Sequence, residues 1–142
     1  MSTAREMMHQ GAECVRPDDT LTAAAAMMRD LHVGALPIAD SEDRLQGIIT
    51  DRDIVVRGLA DGLDPGSTPA RQLVTAATIS VGADSDVGEV LHAMEEHKIR
   101  RLPVVDNQRV VGMISEADVV THLTQGQIAD FASAVYSAPP NN

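Results

Sequence analysis

The hydrophobic positions of the chain follow a helical period in some segments and a strand pattern in others. In the segment TLTAAAAMMRDL, apolar residues recur at Leu21, Ala24, Ala25, Met28 and Leu31. This spacing predicts an amphipathic helix. The next two apolar runs, ALPIA and LQGIIT, are joined by the polar segment DSEDR, which is typical of two strands and a turn. We expect a further helix from Thr50 to about Ala60.

Two shorter elements precede this block. The segment TAREMM opens with the spacing Thr3-x-x-Glu6, which is that of a capping box and predicts a short helix. The segment ECV, residues 13–15, predicts a brief extended piece. The whole block is therefore expected to run short helix, strand, helix, strand, strand, helix.

The same block occurs a second time. The segment GIITDRDI at 47–54 and the segment GMISEADV at 112–119 share a glycine, an apolar pair, a hydroxyl residue and an aspartate three positions later. Pro37 and Pro103 lie 103 − 37 = 66 positions apart in matching strands. The chain is thus one unit repeated. We assign residues 1–66 to the first repeat with its linker, 67–124 to the second repeat, and 125–142 to a C-terminal helix and a frayed tail.

Composition and charge narrow the class of protein. Of 142 residues, 44% are hydrophobic but only 1% are aromatic, so the core must be aliphatic. A formal net charge of −10 argues against a nucleic-acid partner, because such binding needs basic surface. No apolar run approaches the roughly 20 residues of a membrane span, and the N-terminal segment lacks the apolar stretch of a signal peptide. We expect a cytoplasmic protein.

The helix that starts at Thr50 carries more apolar surface than one buried face needs. Its apolar residues include Ile54, Val55, Val56 and Leu59. A helix that is apolar over a wide arc is covered on more than one side. In so small a chain a second subunit is the expected cover, so we predict a homodimer through apolar helix faces.

The pair Thr50 and Asp53 has two interpretations. As a capping box, the two side chains only start a helix. As a ligand site, the carboxylate of Asp53 accepts both hydroxyl protons of a ribose, while Thr50 donates to a phosphate near a helix N-terminus. The two roles are compatible, and the same holds for Ser115 and Asp118.

Other chemistry has little support in the sequence. No Ser or Cys has the surroundings of a nucleophile and no glycine-rich phosphate loop occurs, so we predict no catalytic residues. The segment HAMEEH is not the zinc signature H-E-x-x-H, and His92 with Glu96 is expected to form a solvated helix face. We predict no metal site. Cys14 is the only cysteine, which excludes an internal disulfide, and we expect it to be buried or half-buried.

The doubled motifs resemble a tandem CBS-domain pair, the Bateman module, of the small stand-alone type. The resemblance covers roughly residues 3–124. It implies an α/β fold in which two CBS repeats, each β-α-β-β-α with a short leading helix, pack about a pseudo-two-fold axis. It also implies two clefts that hold an adenosyl ligand such as AMP, ADP, ATP or S-adenosylmethionine.

By this resemblance each cleft combines the hydroxyl-x-x-Asp of one repeat with the strand start before the proline of the other. One cleft would contain Thr50, Asp53, Ile79, Arg100, Arg101 and Pro103. The other would contain Ser115, Asp118, Cys14, Gly34, Ala35 and Pro37. The first cleft carries two arginines where the second has a glycine and an alanine. Those arginines would either bind phosphate or obstruct the adenine pocket.

Two functions remain open. The first is a non-enzymatic sensing module that binds an adenosine-containing ligand and signals to a regulated partner protein of unknown identity. The second is a stress-response interaction protein, related for example to hypoxia, whose clefts are plugged or vestigial and whose dimer surface is the function.

Overall fold

The computed structural model describes residues 2–11, 13–74 and 78–136, which form two compact units. The first-repeat unit comprises Ala12–Thr78 and Gln108–Val110. The second-repeat unit comprises Met1–Gly11, Ile79–Asn107 and Val111–Asn142. The leading segment of each repeat therefore belongs to the unit built around the other repeat. The boundaries at residues 66 and 124 stay a prediction, because the two units are defined by packing. The expected frayed tail, Pro-Pro-Asn-Asn, lies outside the described residues.

The first-repeat unit contains one α-helix, a two-stranded sheet and two irregular helices. They are α2 (Leu21–Leu31), β2 (Ala35–Ala39), β3 (Leu45–Thr50), a π-helix (Asp53–Leu59) and a 3₁₀ helix (Ala70–Leu73). Two elements precede them in the chain but belong to the second-repeat unit, namely α1 (Ala4–Met7) and β1 (His9–Gln10). Strands β2 and β3 pair antiparallel, with Ala35 opposite Thr50. The predicted helix and hairpin are confirmed.

Local sequence explains where α2 begins and ends. The Thr20 hydroxyl accepts a hydrogen bond from the Ala23 N–H at 3.1 Å, which caps the helix. His32 ends it in the left-handed conformation, with φ at 57°. The helix buries Leu21, Ala24 and Met28 in an aliphatic core.

The helix expected from Thr50 to about Ala60 is a π-helix in its main part. The Ala60 N–H donates to the Val55 carbonyl, five residues back, at 2.9 Å. Such i→i+5 bonds widen the helix and often occur at functional sites. The expectation of an ordinary helix was wrong in this respect.

The remaining elements lie in the second-repeat unit. Besides α1 and β1, they are β4 (Val81–Gly82), α3 (Val87–His97), β5 (Arg101–Asp106), β6 (Arg109–Ser115, which starts in the first-repeat unit), α4 (Glu116–Val120) and α5 (Gln125–Val135). The four strands of the unit are ordered β1-β6-β5-β4. Helix α5 packs against α3, and its Phe131 and Val135 are buried in the core of the unit.

The repeat register is visible in the strand pairing of both units. Val81 pairs parallel with Val104. The matching residues of the first repeat, each 66 positions earlier, are Val15 and Ile38, and they form one parallel bridge. The extended piece expected at ECV is therefore reduced to a single bridge. The leading segment of the first repeat instead forms the short strand β1.

The capping box expected at Thr3 and Glu6 is wrong. The Thr3 side chain accepts no capping hydrogen bond. Its hydroxyl instead donates to Glu6 Oε1 at 3.2 Å, so the threonine oxygen is turned toward the carboxylate rather than toward the helix N–H groups. The short helix nevertheless forms, and it buries Ala4 and Met7.

The leading segment of each repeat packs in the unit of the other repeat, and we call it the exchanged segment. In each unit this segment passes over a strand at a glycine of that strand. A β-carbon on Gly112 of β6 would lie 2.6 Å from the His9 carbonyl oxygen and would also collide with the Met8 sulfur. A β-carbon on Gly47 of β3 would lie 2.7 Å from a methyl group of Val74. Met8 and Val74 are themselves 66 positions apart. The repeated glycine thus makes room for the crossing segment in each unit.

Candidate functional site

Thr50 and Asp53 form a reciprocal capping box. The Asp53 N–H donates to Thr50 Oγ1 at 3.0 Å, and the Thr50 N–H donates to Asp53 Oδ2 at 3.0 Å. This confirms the predicted box. It uses only one oxygen of the carboxylate.

The second oxygen of Asp53 has different surroundings. Oδ1 lies 3.7 Å from Nη1 of Arg57, which is longer than a hydrogen bond. The Arg57 guanidinium meanwhile donates to the Leu73 carbonyl at 2.5 Å. Asp53 retains 27% side-chain exposure. An ionised carboxylate oxygen that is reachable from solvent can still accept a hydrogen bond from a ligand.

The equivalent pair in the second-repeat unit, Ser115 and Asp118, also forms a capping box, and its carboxylate has further contacts. Both the N–H and the hydroxyl of Ser115 donate to Asp118 Oδ2, at 2.8 and 3.1 Å. The other oxygen, Oδ1, lies 3.2 Å from Nε2 of His9. Both carboxylate oxygens of Asp118 are thus engaged within the unit, and its side chain is only 15% exposed. His9 was not among the residues predicted from the sequence.

The strand starts before the two prolines occupy matching places beside the hydroxyl-x-x-Asp segments. The Asp51 N–H donates to the Gly34 carbonyl at 3.0 Å, and the Glu116 N–H donates to the Arg100 carbonyl at 2.8 Å. Each repeat therefore places its own pre-proline backbone against its own helix start. This arrangement follows from the hairpin, in which Ala35 is the partner of Thr50.

The other predicted residues have these surroundings. Pro37 and Pro103 are buried in their strands, and Arg101 is half-buried at the start of β5. Ile79 packs at the edge of the second-repeat core. The pairing of Thr50 and Asp53 with Arg100, and of Ser115 and Asp118 with Gly34, joins residues of different units and stays a prediction.

Arg100 has an aromatic neighbour within its own unit. Its guanidinium carbon lies 4.7 Å from the centre of the Tyr136 ring, a cation–π distance. The Tyr136 hydroxyl donates to Glu116 Oε2 at 2.7 Å, and this hydrogen bond is the main cause that raises the pKa of Tyr136. The residue after helix α5 thus contacts both Arg100 and the first residue of α4. No local sequence pattern predicts this contact.

Cys14 is half-buried, as expected. Burial raises the pKa of its thiol, the nearby Asp43 raises it further, and Arg16 acts in the opposite direction. A thiol with a raised pKa carries little thiolate at neutral pH and is a poor nucleophile.

The described part of the chain has neither a metal-binding cluster nor a helix suited to span a membrane. Residues 2–11, 13–74 and 78–136 contain no group of three or more His, Cys, Asp or Glu side chains placed to hold a metal ion. His92 Nε2 and Glu96 Oε2 lie 3.1 Å apart on the exposed face of α3. Over the same described ranges, no helix has the length and apolar character that a membrane span requires.

Comparison with known proteins agrees with the doubled sequence. The family model described as CBS domain matches residues 4–59 and 70–125. The chain is 47% identical over 137 residues to hypoxic response protein 1 of Mycobacterium tuberculosis, covering 96% of each. It is 32% identical over 132 residues to the CBS domain-containing protein YhcV of Bacillus subtilis, covering 93% of each.

Solved structures have the same fold. A crystal structure of hypoxic response protein I, described as having two coordinated zinc ions, is similar with a TM-score of 0.80 and 49% identity, over 87% of this chain and 100% of that one. An acetoin utilization protein, AcuB, from Vibrio cholerae is similar with a TM-score of 0.75 and 26% identity, over 99% of each chain.

Proposed function

The chain belongs to the CBS-domain family, with two CBS repeats, and on this premise we propose that it is a non-enzymatic regulatory module that binds an adenosine-containing ligand. The observation that carries the proposal is that the two oxygens of the Asp53 carboxylate have different contacts. One oxygen starts the helix, and the other lies 3.7 Å from Arg57 Nη1, within ion-pair range but outside hydrogen-bond range, on a side chain that is 27% exposed. An acceptor oxygen held only by this longer contact is what a ribose hydroxyl requires.

The ligand class follows from the chemistry around Asp53. A carboxylate accepts hydrogen bonds from vicinal hydroxyls and donates none at neutral pH. The Thr50 hydroxyl accepts from the Asp53 N–H, so its own proton remains available to a phosphate or ribose oxygen. We propose AMP, ADP, ATP or S-adenosylmethionine as the ligand class. Arg100 and Arg101 would bind the phosphates of a nucleotide across the two repeats.

The output of such a module is a change in another protein. The apolar face of the π-helix supports a homodimer, because Val55, Val56 and Leu59 are exposed by 56%, 43% and 56%. Contiguous exposed apolar side chains of this kind mark interaction surfaces. This face lies on the same helix that Asp53 begins. We propose that ligand occupancy is transmitted through this helix to the dimer and from there to a regulated protein.

Calorimetric titration with AMP, ADP, ATP and S-adenosylmethionine tests the ligand proposal. Asp53→Ala should weaken binding by about 2 to 4 kcal/mol, because charge-assisted hydrogen bonds are lost. That is on the order of thirty-fold or more. Asp53→Glu should keep the cap and the melting temperature, yet lose most binding, because its carboxylate lies one methylene further out. Asp61→Ala, which removes an exposed linker carboxylate, is the matched control and should bind normally.

Two results would contradict the proposal. If none of the four compounds binds the wild-type protein below millimolar concentration, ligand sensing fails for this class. If Asp53→Glu binds as the wild type does, Asp53 is a helix cap and the ribose assignment is wrong.

A second candidate is a stress-response interaction protein whose clefts are plugged. The engaged oxygens of Asp118 and the contact of Arg100 with Tyr136 favour it, as does the name of the mycobacterial relative. This candidate predicts a dimer that binds none of the four compounds and that associates with its partner regardless of nucleotide.

A third candidate is zinc binding, because the similar hypoxic response protein structure has two coordinated zinc ions. Cysteine and histidine are the side chains that zinc prefers, and this chain has one cysteine and five histidines. Zinc titration followed by dialysis and metal analysis tests this, with Cys14→Ser as the variant. Retention of less than about one zinc per two chains would reject it.

A further inference from the structure

The two hydroxyl-x-x-Asp segments differ in one contact that the repeat does not explain. Asp53 has an oxygen outside hydrogen-bond range of its basic neighbour, whereas the corresponding oxygen of Asp118 faces His9 at 3.2 Å. The residue that makes this difference, His9, belongs to the leading segment of the first repeat.

Backbone pairing fixes His9 at this position. Strand β1 pairs antiparallel with β6, which places His9 opposite Met113, and the Gly11 N–H donates to the Val111 carbonyl at 3.2 Å. Met113 lies two residues before Ser115, so the His9 imidazole reaches the start of helix α4. The absence of a side chain at Gly112 makes this close approach possible.

The exposures indicate which partner is covered. The His9 side chain is 81% exposed, whereas the Asp118 side chain is 15% exposed. The imidazole therefore lies on the outer side of the carboxylate, between Oδ1 and solvent. A ligand hydroxyl that approaches Oδ1 meets His9 first.

We propose that His9 is an internal competitor for Asp118, so that the Asp118 site accepts an adenosine-containing ligand only when the imidazole is displaced. This inference rests on the proposed function and adds an order to it: the Asp53 site fills first, and the Asp118 site fills at higher ligand concentration. The competitor belongs to the leading segment of the first repeat. Occupancy of the Asp118 site is thus coupled to the position of that segment.

The strength of the competition can be bounded. The His9 side chain is 81% exposed, and exposed contacts of this kind are weak. Removing His9 should therefore tighten binding at Asp118 by about two- to fivefold.

The test is AMP and ATP calorimetry on variants that isolate each site. In an Asp53→Ala background, which leaves the Asp118 site, His9→Ala should raise affinity by that factor. Adding Asp118→Ala should abolish the gain. His9→Gln, whose amide is also a hydrogen-bond donor, should give a smaller gain in affinity. It replaces His9→Ala in the test if His9→Ala lowers the melting temperature. His92→Ala breaks another histidine–carboxylate contact, with Glu96, and should change nothing.

Each outcome decides between the inference and the proposed function. If Asp53-dependent binding occurs and His9→Ala changes affinity by less than twofold in the Asp53→Ala background, the His9 inference is overturned and the proposed function stands. If the wild type binds neither compound but His9→Ala binds through Asp118, the inference stands and ligand sensing at Asp53 fails. If no variant binds either compound, both are overturned.

Discussion

Replacing Gly112 by alanine tests the crossing of the exchanged segment over β6. The new β-carbon would lie 2.6 Å from the His9 carbonyl oxygen and 2.9 Å from Met8 Cγ, and it would overlap the Met8 sulfur. A side chain can rotate away, but the His9 carbonyl belongs to a backbone held by pairing with β6. The strand must therefore separate from β1 or deform.

The expected cost is that of an overpacked site, about 1 to 3 kcal/mol. For a chain of this length, 1 kcal/mol corresponds to about 3 to 4 °C in melting temperature. We expect Gly112→Ala to melt about 3 to 12 °C below the wild type in differential scanning calorimetry, with a matching fall in the urea midpoint.

Gly47→Ala is the matched comparison in the first-repeat unit. The three atoms nearest to its β-carbon would all belong to the Val74 side chain, the closest two at 2.7 and 2.9 Å. Val74→Ala should therefore rescue Gly47→Ala almost completely, whereas Met8→Ala should rescue Gly112→Ala only in part, because the carbonyl oxygen remains. Gly126→Ala in α5, where a β-carbon meets nothing within 4 Å, should be neutral or stabilising.

A Gly112→Ala variant that melts within 1 °C of the wild type would contradict the predicted clash. Full recovery of stability by adding Met8→Ala would also contradict it, since the backbone would then not be the obstacle.

Two further predictions concern Cys14 and the dimer. Because burial raises the pKa of the Cys14 thiol, this thiol ionises at lower pH in the unfolded chain than in the folded one. Folded Cys14 should therefore react with iodoacetamide more slowly than glutathione does at pH 7 to 8, and at the ordinary rate in urea. The free energy of unfolding should fall as the pH rises above the pKa of the unfolded thiol. Reaction at the rate of glutathione in the folded protein, followed by mass spectrometry, would contradict this. If the proposed dimer forms through the π-helix, Leu59→Glu should convert it to monomer in sedimentation equilibrium, because the charge would be buried without a partner. Ile128→Glu on α5, where the wild-type side chain is 37% exposed, should leave it dimeric. A Leu59→Glu dimer as strong as that of the wild type would reject this face as the interface.

Sequence reasoning succeeded where the signal was local or repeated. The capping box of Thr50 and Asp53 depends on residues three positions apart, and the structure forms it as predicted. The 66-residue repeat matches Val15 with Val81, and the two residues occupy equivalent places, since Val15 forms a parallel bridge with Ile38 and Val81 pairs parallel with Val104. Both signals are properties of short segments that the second copy confirms.

It failed where two distant segments meet. The contact of His9 with Asp118 and that of Tyr136 with Arg100 join residues that no periodicity relates. The Thr3 and Glu6 pair shows a different failure, because the spacing of a capping box does not fix which atom the hydroxyl faces. Recognising these contacts requires the antiparallel pairing of β1 with β6 and the packing of α5.

The exchange of leading segments has a consequence for the order in which the protein can fold during synthesis. Almost all of the first-repeat unit is present once residue 78 has left the ribosome, whereas β1 has no strand partner until β6 has been made. At about 5 to 20 residues per second, that delay is of the order of several seconds. During this time the apolar side chains of Ala4, Met7 and Met8 have no second-repeat core to bury them, so the nascent chain offers a short apolar segment to chaperones before it offers a finished ligand site.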